Sequence, residues 1–165
     1  MLSDLQTLAD FGCRFVRVAR GEKRPLGRSW QTKSTADLTY VKSWLAAGSN
    51  VGLLLGPASG VVDVEFDDPA GREQLSALGV LDLPTPTWRS ARGEHRLFRW
   101  ASWMPEAAVV KADALEVRLG GRAAQSVLPP SRHPTGRPYE WIVPPGCVPV
   151  AQFPAQLLRG LPCLP

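Results

Sequence analysis

The sequence predicts a mixed α/β (α+β) fold with helices packed on a sheet. Three observations point to it: apolar runs of strand length recur along the chain, capped helix-period segments interrupt them in the first half, and the second half turns to strands flanking glycine-containing loops. Residues 3 to 11 read as a short helix ending at Gly12, and Phe15 to Val18 as a first strand. Gly21 to Trp30 is a basic loop broken by Pro25 and Gly27. Ser34 or Thr35 is the expected cap of a helix whose Leu38, Val41, Trp44 and Leu45 share one face, closed by Gly48. Val51 to Leu55 reads as a strand, Gly56 to Gly60 as a turn and Val61 to Phe66 as the next strand. Asp68 caps a helix with Pro69 at its first position, running to Gly79 with Leu75 and Leu78 inward. Thr87 to Ser90 and His95 to Trp100 flank the loop Ala91-Arg92-Gly93-Glu94. Leu115 to Leu119 and Ala124 to Leu128 flank Gly120-Gly121 and are expected to pair as a hairpin. Tyr139 to Val143 is the expected last strand, before a Pro-rich segment and a short helix near Phe153 to Arg159.

At 165 residues the chain is expected to form a single domain, 1–165, with a core of its own. The ending Leu161 to Pro165 lacks a helical or strand close, which suggests the amino-terminal part of a longer protein. With 44% hydrophobic and 21% charged residues it reads as globular rather than disordered. Cys13, Cys147 and Cys163 are odd in number, widely spaced and without a Cys-x-x-Cys pair. That argues against a disulfide framework, predicts no structural zinc and fits a reducing cytoplasm. No apolar run approaches the roughly 18 residues of a membrane span, and no signal-peptide pattern opens the chain, so no membrane association is expected.

The most telling stretch is Val61-Val62-Asp63-Val64-Glu65-Phe66. Side chains alternate across a strand, so Asp63 and Glu65 share one face and Val62, Val64 and Phe66 the other. Two rigidly held carboxylates of this kind suit hard divalent cations, and metals shared between acids can run an in-line phosphoryl displacement. Leu115-Glu116-Val117-Arg118-Leu119 repeats the pattern, with Glu116 and Arg118 on its polar face. The net charge is +4, and Arg14, Arg17, Arg20, Lys23, Arg24, Arg28 and Lys33 crowd the first fifth of the chain. Such a segment is either a polyanion track or a solvated basic surface. Trp30 within it either stacks a base or joins the core.

Taken in order, these pieces resemble the bifunctional DNA primase/polymerase (prim–pol) domain of the archaeo-eukaryotic primase superfamily. The resemblance runs from about residue 10 to residue 145. It is carried by Lys23-Arg24-Pro25-Leu26 with Trp30, Asn50-Val51-Gly52-Leu53 and Ser59-Gly60-Val61-Val62-Asp63-Val64-Glu65. It continues through Pro84-Thr85-Pro86-Thr87, Ser90-Ala91-Arg92-Gly93-Glu94-His95, Glu116-Val117-Arg118, and Pro129-Pro130-Ser131-Arg132-His133 with Gly136, Tyr139 and Trp141.

The resemblance implies a core like an RNA-recognition-motif sheet joined to an amino-terminal α/β unit, with the site in the cleft. It implies that Asp63, Glu65 and Glu116 are catalytic acids holding two Mg²⁺ or Mn²⁺ ions, and that His95 binds the incoming triphosphate. Arg92, Arg118, Ser131 and His133 would be further nucleotide contacts, and Lys23, Arg24, Arg28 and Trp30 would meet DNA. The implied partners are single-stranded DNA, dNTP or NTP, and a helicase domain in the same full-length chain. The implied setting is the cytoplasm of a prokaryotic cell, at the nucleoid or in replication of a mobile element. Two features depart from the pattern: Glu116 stands where aspartate is common, and Ala91 where glycine is common. The zinc-binding stem of some relatives has no candidate here. Two rivals fit some of the residues, a metal-dependent nuclease and a non-catalytic single-strand binding module. The nuclease leaves the glycine loop and His95 unexplained, and the module has no use for three acids facing a phosphate chain.

Overall fold

The acidic strand lies inside the larger of two sheets. The computed structural model describes residues 2–121 and 123–159; the ending Leu161 to Pro165, with Cys163, lies outside them. In chain order the elements are α1 (Leu2–Phe11), β1 (Phe15–Val18), α2 (Leu38–Ala46), β2 (Asn50–Leu54), β3 (Val61–Phe66), α3 (Pro69–Ala77), β4 (Thr87–Arg89) and β5 (Glu94–Arg99). They continue with β6 (Val109–Ala112), β7 (Leu115–Arg118), β8 (Gln125–Val127), β9 (Glu140–Val143), β10 (Ala151–Gln152) and a short 3-10 helix (Ala155–Leu158). A small sheet has the order β1-β2-β8, and a large one the order β6-β7-β3-β5-β4-β9 with β10 beside β5. No described helix is long and apolar enough to cross a membrane.

Period-two alternation on β3 sorts the two cores. Val62, Val64 and Phe66 join Val117, Phe98, Leu75 of α3 and Leu157 of the 3-10 helix. The opposite face carries Val61 into a second core with Leu97 and Trp88, packed against Leu5 and Leu8 of α1, Val41 of α2 and Leu53 of β2. The small sheet therefore covers the acid-bearing face of the large one, and all six residues of β3 are buried. Cys13 belongs to this second core, where burial pushes its thiol up to about 12. That makes it a packing residue rather than a nucleophile.

Three local expectations need correction. The first concerns β9, which is not the last strand, because β10 follows it and pairs with β5. The cap of α2 is Asp37, whose carboxylate accepts the Thr39 N–H. Thr35 is instead tied to Phe15 by two backbone bonds, and Ser34 accepts the Arg14 guanidinium. The hairpin expected around Gly120-Gly121 does not form: β7 pairs with β3 and β6, whereas β8 pairs with β2 in the other sheet. The glycines serve the crossing between sheets. Gly120 has φ +76, and a Cβ there would overlap the Leu55 carbonyl. The hairpin partner of β7 is β6, turned by Asp113 at φ 56, a conformation aspartate tolerates without a glycine signal. Gly120→Ala is accordingly expected to cost about 3 kcal/mol, from a strained φ and a backbone clash together. Denaturant unfolding should show a lower midpoint at unchanged slope.

Candidate active site

Three neighbouring strands build a grid of charged side chains on one face. The register sets Asp63 opposite Arg118 and Glu65 opposite Glu116 across β3 and β7, and Glu65 opposite His95 across β3 and β5. Two glutamates directly opposed repel. The diagonal Arg118 relieves this, with Nη2 2.5 Å from Glu65 Oε2 and 2.7 Å from Glu116 Oε1, and Nε donating to the same Glu65 oxygen at 2.9 Å. Burial works against the charge on Arg118, but Glu65, Asp63 and Glu116 outweigh it and raise its pKa.

Asp63 is wholly buried and is gripped from two directions. His95 Nδ1 lies 2.8 Å from its Oδ2, and the Ser126 hydroxyl donates to the same oxygen at 2.5 Å. The imidazole stacks on Trp88 at 4.8 Å between centroids and 4° between planes, and the Trp88 indole N–H donates to the Val127 carbonyl. Ser126 and Val127 belong to β8, so the small sheet holds the acid of the large one in place.

What remains unpaired is informative. Among the described residues, Asp63 Oδ1 and His95 Nε2 are buried without a hydrogen-bond partner, and Nε2 faces Glu65 Oε1 at 3.6 Å. Asp63, Glu65 and His95 each offer a ligand atom within 4.8 Å of the others. Two carboxylate oxygens and an imidazole nitrogen form a donor set that suits a divalent cation, so these residues can hold one.

Burial disfavours charge on His95, yet the Asp63 carboxylate's charge and hydrogen bond, with Glu65, raise its pKa above 6.5. A raised folded-state pKa gives stability that is complete below the unfolded value and is lost as pH rises through the folded one. Metal-free protein should therefore lose thermal stability as pH climbs above 6.5, and His95→Gln should flatten that profile in melting curves taken with chelator.

The comparisons with known proteins bear on this geometry. The family model described as bifunctional DNA primase/polymerase, N-terminal (Prim-Pol), matches residues 5–156. The chain belongs to the Prim-Pol family. It is a DNA primase/polymerase nucleotidyltransferase. Among solved structures, the AEP domain of the cyanophage S-2L primase-polymerase is 16% identical with a TM-score of 0.50, over 98% of this chain and 96% of that one. That likeness agrees with the expected archaeo-eukaryotic primase-like core and speaks to the fold alone. No curated protein matches.

Within this Prim-Pol domain, the residues expected from the sequence fall into two groups. Asp63, Glu65, Glu116, His95 and Arg118 converge on one face. Glu116 stands outside the close trio and is held by Arg118. A cleft of about 240 Å³ beside them is lined by Lys23, Glu65, Asp67, Lys111, Glu116 and Arg118. Arg24, Arg28 and Arg92 are exposed, whereas Trp30 is half-buried against the core between the sheets.

The loop before His95 is closed on itself by the Ser90 side chain. The Arg92 and Gly93 N–H groups both point at Ser90 Oγ. Gly93 is required because a Cβ there would overlap the Phe66 carbonyl. Ser131 is committed elsewhere: its hydroxyl donates to the Val51 carbonyl at 3.2 Å and accepts the Val51 N–H at 2.9 Å. His133 is buried, with Nδ1 accepting the Thr135 N–H at 3.2 Å, so its neutral form carries the proton on the unpartnered Nε2. Burial first, then the charges of Lys23 and Arg92, lower its pKa.

Sequence reasoning missed Ser126 and Trp88, and it named Tyr139 without giving its phenol a role. The Tyr139 pKa is raised by burial and then by the charge of Glu65, which keeps a neutral hydroxyl near the acids. Trp88 could have been found by pairing its strand with that of His95. Ser126 gave no local signal, because its strand belongs to the other sheet.

Proposed function

We propose that this domain joins dNTPs or NTPs to a primer 3′-hydroxyl, or starts a primer, on a single-stranded DNA template. The observation that carries the reading is the grid of Asp63, Glu65, Glu116, Arg118 and His95, in a chain of the Prim-Pol family. Asp63, Glu65 and Glu116 would hold two Mg²⁺ or Mn²⁺ ions, whose charge would favour ionisation of the attacking hydroxyl and offset that of the leaving pyrophosphate.

The protein's own part is positioning and charge. His95 and Ser126 occupy one oxygen of Asp63, which directs the other, Oδ1, to a ligand. Arg118 holds Glu65 and Glu116 side by side, and a triphosphate entering the cleft competes with them for its guanidinium. His95 presents Nε2 beside Glu65, where it can meet a cation or a phosphate oxygen. Lys23 and Arg92 add positive charge near His133, whose Nε2–H is a neutral donor. Ser131 acts on the nucleotide indirectly, by fixing the loop that carries His133. The exposed Arg24 and Arg28, with Lys23, form the start of a template track, and Trp30 is its half-buried flank. Residues 1–165 are proposed to act as one catalytic domain, served in the full-length protein by a helicase domain.

Membership of the Prim-Pol family supports polymerisation over the nuclease and the non-catalytic module. A labelled primer on a DNA template, incubated with Mn²⁺, should lengthen only when nucleotides are added. Shortening with Mn²⁺ alone would support the nuclease instead, and neither change would support the binding module.

A further inference from the structure

A second groove opens at the loop that carries His133, and of its lining residues only His133 has been given a role above. It has a volume of about 390 Å³, and its lining includes Arg20, Ser49, Asn50, Arg132 and His133. Among the described residues, two arginines and a histidine line it and no carboxylate does, in contrast to the acid cleft.

The walls are built rather than fortuitous. The nearly buried Asn50 donates to the Glu22 carbonyl at 3.0 Å and the Arg132 carbonyl at 2.7 Å, and accepts the Arg132 N–H at 3.0 Å. One side chain thus ties the loop after β1 to the loop after β8. Ser131 pins the latter to Val51 from the next position. Arg20 lies along Gly48, just past α2, with 3.6 Å between its Cδ and where a Cβ would stand. Arg132 gives one N–H to the Gly136 carbonyl at 3.2 Å, which orients its guanidinium and leaves other donors free. His133 Nε2 is buried with no partner. Guanidinium forks without a competing carboxylate select an oxyanion, and phosphate fits such donors well.

We infer that this groove binds a phosphate group of the DNA or nucleotide the enzyme handles, with Arg20 and Arg132 as ion-pair partners and the His133 ring in the wall between them and the core. The inference rests on the reading of the chain as a DNA primase/polymerase. Two sources carry the same chemistry: a backbone phosphate of the strand, or the phosphate chain of a second nucleotide.

The test is binding by Arg20→Gln, Arg132→Gln and the double variant, measured without metal. Arg72→Gln, an exposed change on α3 at the far face of the large sheet, is the control. The probes are a fluorescent oligo-dT and inorganic triphosphate. If the phosphate is the strand's, oligo-dT affinity falls for each variant, and the log–log salt slope becomes shallower by about 0.7 per lost contact. If it is a nucleotide's, triphosphate binding weakens while oligo-dT binding holds. The inference is overturned if the double variant binds both probes as the wild type does, or if Arg72→Gln causes an equal loss. Asp63→Asn, assayed in parallel, should bind oligo-dT normally. An Asp63→Asn protein that still polymerises would contradict the catalytic reading without touching the groove.

Discussion

Asp63→Asn is expected to abolish nucleotide incorporation, with a loss well beyond the roughly hundredfold seen when only an outer partner of a metal ligand is removed. The substitution is close to isosteric, so no cavity opens in the core between the sheets. The asparagine carbonyl can still accept from Ser126 and from a neutral His95, the two groups that meet Asp63 Oδ2. Its amide nitrogen then replaces Oδ1, the buried oxygen that has no protein partner. A cation ligand becomes an N–H donor in the same place. The charge-assisted bond to His95 is also lost, at about 1–3 kcal/mol, so the melting temperature should fall while folding persists. Primer extension and circular dichroism on one preparation separate the two effects. Extension at a near wild-type rate would remove Asp63 from the chemistry.

Arg118→Met is expected to be the second most damaging change, through a different mechanism. Arg118 is the cation that lets Glu65 and Glu116 stand opposite each other. Without it, two facing carboxylates repel on a largely covered surface. With the Arg118 side chain 26% exposed, water screens part of the effect, and a cost of about 2 kcal/mol is expected, below that of a fully buried broken pair. Divalent cations should restore stability by mass action, because excess carboxylate charge favours the ion. Adding Mn²⁺ should therefore raise the melting temperature of Arg118→Met more than that of the wild type, even though incorporation stays low. Equal shifts in the two proteins would mean that Arg118 does not govern the charge at this site.

Legibility in the sequence followed the range of the interactions. Period-two alternation in Val61 to Phe66 and in Leu115 to Leu119 is a property of each strand alone, and it put Asp63, Glu65, Glu116 and Arg118 on polar faces correctly. Strand pairing is non-local, and there the glycine pair misled. Gly120 allows a close crossing against Leu55 rather than a hairpin, while Asp113 turns the real hairpin without announcing it. The cap at Asp37 was hidden because Ser34 and Thr35 have the right chemistry but are engaged by Arg14 and Phe15. Ser126 became legible only when β8 was seen to pair with β2 above the acid.

The central claim is that the acid grid is a metal-dependent nucleotidyl-transfer site. Its most direct test is anomalous diffraction from crystals grown with Mn²⁺ and a non-hydrolysable nucleotide triphosphate. Manganese should lie on Asp63 and Glu65, with Glu116 drawn from Arg118 toward the ions and the triphosphate beside them. Manganese and nucleotide bound elsewhere, with Asp63 still held only by His95 and Ser126, would contradict the account.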